Sequence, residues 1–533
     1  CVVIGDIERT RLDNIKVMFF VGINDGNVPK KADSRSVLSE SDREYLEDKG
    51  IVMSASVREK AFTQRFYLYL IMTKSAEKLY MSYAVKNSEG AALMPSYIIR
   101  SMRKMFPQCL KLSYKDTAQQ NSYVTIPHAA YSYEQTETAA NVDEDIIDSL
   151  TGGRLVGSVT SFENFAECPL RYYLRYGVDL KEREEFTFSP VNFGVVLHAV
   201  IREVCDEIKK NGESYYLISE EKRREMVKRS VSAITDIYQN SILKDSSRNS
   251  FMIKRMEDLA DRTIWAMGEQ LKCGDFVPFV FEHKFNMEVG DGDRKQLMSG
   301  TIDRVDICEN GTDVYVRIID YKTGKKDFNI VKTYYGIDIQ LMVYMEAAMK
   351  LVAKMRPGKN VIPAGVFYYN ISDPIVSATT ESAEEIEDKI KGELRLKGMV
   401  NSDKDIAEKM DNTEGTSLNI PVSRKADGGF DSRRSKVMNT EQFNMLGRFV
   451  DVRAVDTADR IAGGDIRRSP YKDGQFSSCD RCPYGAVCGF SVDLPGCNYR
   501  KLKKFDDEVL WNNIKEGVDE NGKKMDTGAE ERD

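Results

Sequence analysis

Residues Met298–Lys322 read MSGTIDRVDICENGTDVYVRIIDYK. Two apolar-rich runs, Met298–Cys308 and Val314–Tyr321, flank the polar stretch Glu309-Asn310-Gly311-Thr312-Asp313. An Asn-Gly pair between two such runs is a strong hairpin signal, because both residues tolerate the positive φ that tight turns require. Two antiparallel strands are expected. Strand alternation sets Asp320 and Lys322 on one face, and Asp303 of Gly300-Thr301-Ile302-Asp303 arrives on the neighbouring strand. Two carboxylates and an ammonium form a minimal set for phosphodiester hydrolysis. Hard oxygen ligands suit Mg2+, which polarises a phosphate and acidifies a water, while Lys322 orients that water or offsets developing charge. An isolated Asp-x-Lys is far more often a solvated surface pair, so the reading rests on its companions.

His198, one of three histidines, lies on an expected helix from Phe193 to Lys209, in which Leu197, Ile201, Val204, Cys205 and Ile208 keep helical spacing. Gly194 precedes it by one turn, and its missing side chain is expected to leave room beside the imidazole. Gln340 and Tyr344 stand at i,i+4 on an expected helix from Gln340 to Lys350 and can present an amide and a phenol to a phosphate or base. A further strand is expected over Val361–Tyr369. Glu381–Ile406 and Thr440–Ala462 carry helical charge patterns, and the charged stretch from Asp506 reads as a frayed tail.

Ten cysteines in 533 residues are too sparse for a disulfide framework. Cys479-x2-Cys482-x5-Cys488 nevertheless groups three thiols at metal-ligand spacing, and such a set needs a fourth. Cys168, far upstream in Glu167-Cys168-Pro169, and Cys497 are both available. On spacing alone, zinc and an iron-sulfur cluster fit equally. Cys1, Cys109, Cys205, Cys273 and Cys308 read as small buried hydrophobes.

The formal charge of −7 argues against a chain that is basic everywhere, although a DNA-processing enzyme needs only a local positive channel. No run of about 18 apolar residues and no secretory leader pattern is present in the sequence, so a cytoplasmic location without membrane contact is expected. Val2-Val3-Ile4-Gly5 already reads like a strand and no initiator Met precedes it, so the chain is read as part of something longer. Val17–Val28 is a strand entering a Gly/Asn/Asp turn closed by Pro29. A helix capped by Ser39 running to Lys49, a helix Val57–Thr73 and a strand Lys78–Tyr83 complete an α/β unit. Asp116–Val142 is polar with weak periodicity, and a new unit starts near Leu155 with a helix opened by Ser161 and carrying Glu163. The expected divisions are 1–135, a linker at 136–154, a second domain at 155–505 and a charged tail at 506–533.

Taken in order, Gly194-x3-His198, Gly300-Thr301-Ile302-Asp303-Arg304, Asp320-Tyr321-Lys322 and Gln340-x3-Tyr344 resemble the RecB-type branch of the PD-(D/E)XK nucleases. The resemblance implies Mg2+ ligation by His198, Asp303 and Asp320, catalysis by Lys322 beside those carboxylates, and support from Gln340 and Tyr344. Glu282, on an earlier possible strand, stands outside that set. Glu167–Tyr173 resembles the segment that supplies the first cluster cysteine in AddB-type and CRISPR-adaptation nucleases. This implies a [4Fe-4S] cluster on Cys168, Cys479, Cys482 and Cys488.

Arg9-Thr10-Arg11, Phe19–Gly26, Arg65-Phe66-Tyr67-x-Tyr69 and Leu79–Tyr83 resemble the last motor domain of AddB-type subunits, relatives of superfamily 1 helicases. One departure stands out: Thr73-Lys74-Ser75 carries lysine where active helicases have an arginine, and lysine lacks the guanidinium fork that bridges a γ-phosphate. No Gly-x4-Gly-Lys-Ser/Thr loop occurs, so the motor part reads as incomplete or degenerate. The implied fold class is α/β, a remnant of a superfamily 1 helicase-like motor domain followed by a PD-(D/E)XK nuclease domain with a mixed central sheet and flanking helices. The implied function is that of the nuclease-bearing subunit which, with an AddA-type helicase-nuclease partner, resects DNA double-strand breaks for homologous recombination. It would cleave single-stranded DNA, the 5′-ended strand. The rival readings are a non-catalytic DNA-binding scaffold with a structural cluster, and a stand-alone nuclease.

Overall fold

The computed structural model describes residues 4–7, 15–30, 40–51, 55–86, 92–109, 141–143, 146, 156–181, 190–237, 247–289, 296–376, 382–492 and 497–530. The expected features at Val2-Val3, Arg9–Arg11, Ser39, Leu155 and most of the polar junction lie outside them. The chain divides into two units, Cys1–Thr136 and Glu137–Asp533. Among the described residues, no helix is long and apolar enough to cross a membrane.

In the first unit, strand β1 (Ile15–Phe20) is followed by helices α1 (Glu40–Asp48) and α2 (Val57–Met72), strand β2 (Ser75–Met81) and helix α3 (Tyr97–Met105). The two strands pair in parallel. Ser56 and Glu59 close α2 at its start as a reciprocal capping box. At its end the Thr73 hydroxyl donates to Tyr69 O, so Thr73-Lys74-Ser75 turns helix into strand. Phe20, Ile23, Leu68 and Ile98 form the core. Buried Asn24 replaces missing ladder bonds by exchanging two hydrogen bonds with the Ala84 backbone, at 2.7 and 3.0 Å.

Among the described elements of the second unit come first β3 (Val156–Ser158), α4 (Val159–Glu167) and the short α5 (Pro169–Tyr172), then three long helices, α6 (Pro190–Lys210), α7 (Glu220–Ile237) and α8 (Ser247–Lys272). Three strands follow, β4 (Val277–Val289), β5 (Gln296–Asn310) and β6 (Asp313–Lys322), then α9 (Ile330–Tyr334), α10 (Gln340–Met355) and β7 (Asn360–Asn370). Next come α11 (Ala383–Glu393), β8 (Lys397–Asn401), α12 (Lys404–Met410), β9 (Val437–Met438) and α13 (Thr440–Ala462). The end is built from β10 (Tyr471–Asp473), β11 (Phe476–Ser477), α14 (Gly485–Cys488), β12 (Arg500–Lys501) and α15 (Asp507–Glu530).

The central sheet is mixed, in the order β3-β5-β6-β7-β8-β9, with β4 on the far edge of β5. The hairpin β5–β6 forms as expected, but its two-residue loop is Gly311-Thr312. Asn310 pairs with Asp313, and Gly311 takes the positive φ of 60°. On one face of the sheet α6 and α8 pack Leu197, Val200, Val204, Ile264 and Met267 against Tyr315, Ile319, Tyr321 and Phe367. On the other, α10, α13 and α15 pack Leu341, Met345, Leu446, Phe449, Leu510 and Ile514 against Val316, Ile318 and Val366. Alternation along β6 puts Asp320 and Lys322 on the α10 side.

Four local expectations are corrected. The N-cap of α4 is Ser158, whose hydroxyl accepts from Ser161 N at 3.1 Å, so the helix starts before Ser161. Within Glu381–Ile406 a strand interrupts the helical pattern. β8 is buried and pairs with β7, and a Cβ on Gly398 would lie 1.9 Å from Val366 O, so close strand packing overrides local charge periodicity. The stretch from Asp506 is helix α15, anchored by buried Leu510 and Ile514. A Cβ on Gly194 would make only ordinary contact with the Thr323 side chain, at 3.7 Å, and would come within 4 Å of no imidazole atom, so the glycine is not what makes room beside His198.

The α6/α8 face also buries charge. Arg304, Asp306 and Arg317 are 1, 0 and 1 % exposed. Arg304 donates twice to Asp306, both at 2.7 Å, and Arg317 once at 2.8 Å. Asp306 and Arg317 are cross-strand partners, and Arg304 is two residues from Asp306 on the same face. Burial raises the Asp306 carboxyl, but the two guanidiniums reverse this and hold it below its ordinary value. Asp306→Ala leaves two buried cations unpaired and is expected to cost about 3–5 kcal/mol, read as a lower urea midpoint at unchanged m-value.

Candidate active site

The site grows from a fork in the sheet. One edge of β5 is shared: β3 takes Leu297–Ser299, and β6 takes Arg304–Asn310. Between these spans β6 peels away, and Tyr321 N donates instead to the Asp303 carboxylate, at 2.7 Å from Oδ2. On the other edge, β4 pairs Phe281 with Arg304 and His283 with Ile302, which sets Glu282 opposite Asp303. Glu282 has φ 47°, a left-handed backbone that costs a non-glycine residue on the order of 1–3 kcal/mol. Strain of this kind gathers at functional sites.

From α6, His198 Nδ1 reaches to 3.4 Å from Asp303 Oδ1 and 3.6 Å from Glu282 Oε1. The Tyr321 ring holds the imidazole edge-on at 5.9 Å. Ligand atoms of His198, Glu282 and Asp303 all lie within 4.8 Å of one another, a group that could hold a metal ion. Burial opposes a charge on His198, but hydrogen bonds to Asp303 and Glu282 and their charges prevail, holding the ring's pKa up to about 10.

Asp320 is buried beside this group, and Lys322 forms an ion pair with its Oδ2. Burial first, and then the Asp303 charge, push the Asp320 carboxyl up to about 6, against the pull of Lys322 and Lys326. Gln340 Nε2 lies 3.0 Å from Asp320 Oδ1 and 3.0 Å from the Tyr344 hydroxyl. Gly300 permits this arrangement, since a Cβ there would lie 2.7 Å from the Phe285 ring and 3.0 Å from Tyr344 Cε1. The N-terminus of α10 has no cap from its own segment. Glu163 of α4 supplies one, its Oε1 accepting from Ile339 N at 2.9 Å and Gln340 N at 3.0 Å. Lys326 adds a cation, 3.0 Å from Asp338, which also accepts from the Tyr368 hydroxyl at 2.6 Å.

All six residues singled out around the Asp-x-Lys motif thus meet at one place. Glu282, left outside the expected set, joins it through strand register that no local pattern reveals. Glu163 and Lys326 are site residues that sequence reasoning misses. Their only sequence signals are a carboxylate in a first-helix motif and a lysine shortly after the strand.

Cys168 caps the end of α4 and is buried, and Cys479, Cys482 and Cys488 are half-buried. Burial pushes the Cys168, Cys479 and Cys488 thiols above their ordinary range, and a negative charge on any of the four would disfavour charge on its neighbours. Backbone N–H groups of Leu170, Arg171 and Ser469 are directed at the Cys168 sulfur. Cys497 is also buried.

Residues 157–489 match the family model of the PD-(D/E)XK nuclease superfamily. The chain belongs to this superfamily. Members of the PD-(D/E)XK superfamily typically depend on a divalent metal, and the carboxylate-histidine group is of a kind that could hold one. The chain is 33 % identical, over 99 % of its length, to the B subunit of the ATP-dependent helicase/deoxyribonuclease of Lachnoclostridium phytofermentans. It is 30 % identical, over 98 % of its length, to the protein of the same name from Clostridium acetobutylicum, and 30 % identical, over 100 %, to that of Caldanaerobacter subterraneus. It spans about half, 50 %, of the length of these curated relatives.

In this PD-(D/E)XK chain, burial, against the nearby Lys326, holds the Glu163 carboxyl up to about 7 from an ordinary 4.5. The folded state therefore binds this proton more tightly than the unfolded chain does. The resulting stability is fully present below about pH 4.5 and is lost as pH rises through about 7. Glu163→Gln is expected to flatten that dependence, checked by urea midpoints measured on either side of the window.

Proposed function

We propose that this chain is the nuclease-bearing part of an AddB-type subunit, which cleaves single-stranded DNA by metal-dependent phosphodiester hydrolysis during resection of double-strand breaks for homologous recombination. An AddA-type helicase-nuclease subunit is its partner and supplies most of the unwinding. DNA ends are the substrate, the 5′-ended strand is the one cut, and the cytoplasm is the place of work. The observation that carries the reading is the convergence of His198, Glu282 and Asp303 within 4.8 Å, beside the buried Asp320–Lys322 pair. The similarity to the B subunits of helicase/deoxyribonucleases over nearly the whole chain supports the partner and the substrate.

The residues fit a hard divalent cation. Buried Asp320 Oδ2 has no hydrogen bond, only the Lys322 ammonium beside it, and the other donors are carboxylates and one imidazole. His198, Asp303 and Asp320 would hold Mg2+, with Glu282 as an added ligand, and His198 would give up its proton to do so. When bound, the ion supplies Lewis-acid polarisation of the scissile phosphate and a more acidic water. Lys322 neutralises charge that develops on the phosphate. Gln340 orients Asp320 and Tyr344, and the Glu163 cap keeps Gln340 in place.

Cys168, Cys479, Cys482 and Cys488 would hold a [4Fe-4S] cluster, a reading supported by the resemblance of Glu167–Tyr173 to the segment that supplies a cluster cysteine in related nucleases. The cluster would hold the two ends of the nuclease domain together.

Cleavage of end-labelled single-stranded DNA with Mg2+ tests the nuclease reading. Lys322→Ala is expected to lower the rate about 10²–10³-fold and Asp320→Ala at least as much, with folding retained. Unchanged cleavage by Asp320→Ala would sink the proposed site and leave a scaffold role. For the cluster, Cys168→Ser purified anaerobically is expected to lose bound iron and visible absorbance, and to unfold at lower temperature. Full zinc occupancy in the wild-type protein would overturn the iron assignment.

A further inference from the structure

Away from the carboxylates, a cavity of about 240 Å³ opens between α4, the residues that follow α9, and α13. Its lining includes four guanidiniums, those of Arg453, Arg460, Arg467 and Arg500, and one carboxylate, Asp456. Arg460 and Arg467 are already neutralised, both bonding Asp465, at 2.8 and 2.7 Å, with Asp456 3.8 Å from Arg460. Arg453 and Arg500 are not: among the described residues neither has a carboxylate partner, and the Nε of each is buried without a hydrogen bond. A buried charged donor left unpaired is costly, and a site built to receive an anion is one of the few physical explanations for it.

We propose that this cavity is a phosphate subsite that takes one backbone phosphodiester of a single DNA strand, with Arg453 and Arg500 as its donors. The inference deepens the nuclease reading and rests on it for the identity of the strand. The guanidinium fork matches two oxygens of a tetrahedral phosphate. Arg453 is held ready for it by stacking over Tyr334 and Phe449, at 5.6 and 5.1 Å from the ring centroids. Arg500 is fixed through one terminal nitrogen, Nη2, which donates to Ala166 O and also to Glu167 O and Ser469 O, both at 3.4 Å. The position suits a strand held next to the cutting site. The cavity wall on α4 is Phe165 and Ala166, one turn from the Glu163 cap, and its other wall, Tyr335-Gly336, leads directly to Gln340.

The test measures binding of a fluorescein-labelled single-stranded oligonucleotide to the full-length protein in EDTA, where no cleavage occurs. Arg453→Met keeps the stacked stem and removes the donors. It is expected to weaken binding at least about tenfold and to lower the slope of log affinity against log salt by about 0.7. Equal affinity and slope would overturn the subsite while leaving the nuclease reading standing, whereas failure of the wild-type protein to bind the oligonucleotide would sink both. If Arg453→Met does not fold, the DNA side gives the answer. One methylphosphonate, moved along the oligonucleotide, should weaken wild-type binding sharply at one position, and uniform binding at every position would overturn the proposal. Thermal protection of the wild type, but not the variant, by inorganic phosphate, with DNA binding unmoved, would assign the cavity to free phosphate and overturn the DNA assignment.

Discussion

The hydrogen bond from Tyr321 N to Asp303 Oδ2 governs the second unit. Ordinarily that N–H would continue the antiparallel ladder of β6 on β5. By giving it to a side chain, the fold ends the ladder at Arg304 and lets two strands diverge while a carboxylate remains held at their point of separation. β3 occupies the rest of the same edge, so the gap stays open without leaving a long unpaired strand edge. Everything placed around the gap, from His198 on one side to Gln340 on the other, depends on the position of this one carboxylate.

Charge is distributed around the fork with a consistent sign pattern. The Asp303 charge raises the cost of ionising Asp320, and cations flank the two carboxylates: the His198 ring beside Asp303 and the Lys322 ammonium beside Asp320. On the opposite face of the same sheet, Arg304 and Arg317 enclose Asp306, which fixes the register of the hairpin from behind. A buried triad of this kind stabilises little in itself and is costly to break. Its contribution is to make a slipped register of β5 against β6 unfavourable, because a slip would strand those charges.

Much of this site is legible because its pieces are local. A turn signal, a period of two and a period of four suffice to bring Asp303, Asp320 and Lys322 together and to pair Gln340 with Tyr344. What is not legible depends on register between distant segments. Glu282 belongs to the site only because β4 pairs with β5 in a phase that sets it opposite Asp303, and only in a backbone conformation that sequence does not advertise. Glu163 sits in a helix whose role depends on the uncapped start of α10, far along the chain. β8 reads as helix because its flanks are charged and its pairing with β7 is long-range, and α15 reads as a tail because two buried residues, Leu510 and Ile514, are a faint signal in a polar stretch.

The end of α4 is held by Arg500, 334 residues later in the chain, whose guanidinium bonds Ala166 O. This bond has a consequence for the order of synthesis. A ribosome adding about 5–20 residues per second needs roughly 20–70 s to cover that interval. During that time helix α4 exists without the side chain that pins it. The helix that caps α10 is therefore made long before it is secured, so a nascent chain completes the geometry of this site only after Arg500 has been added.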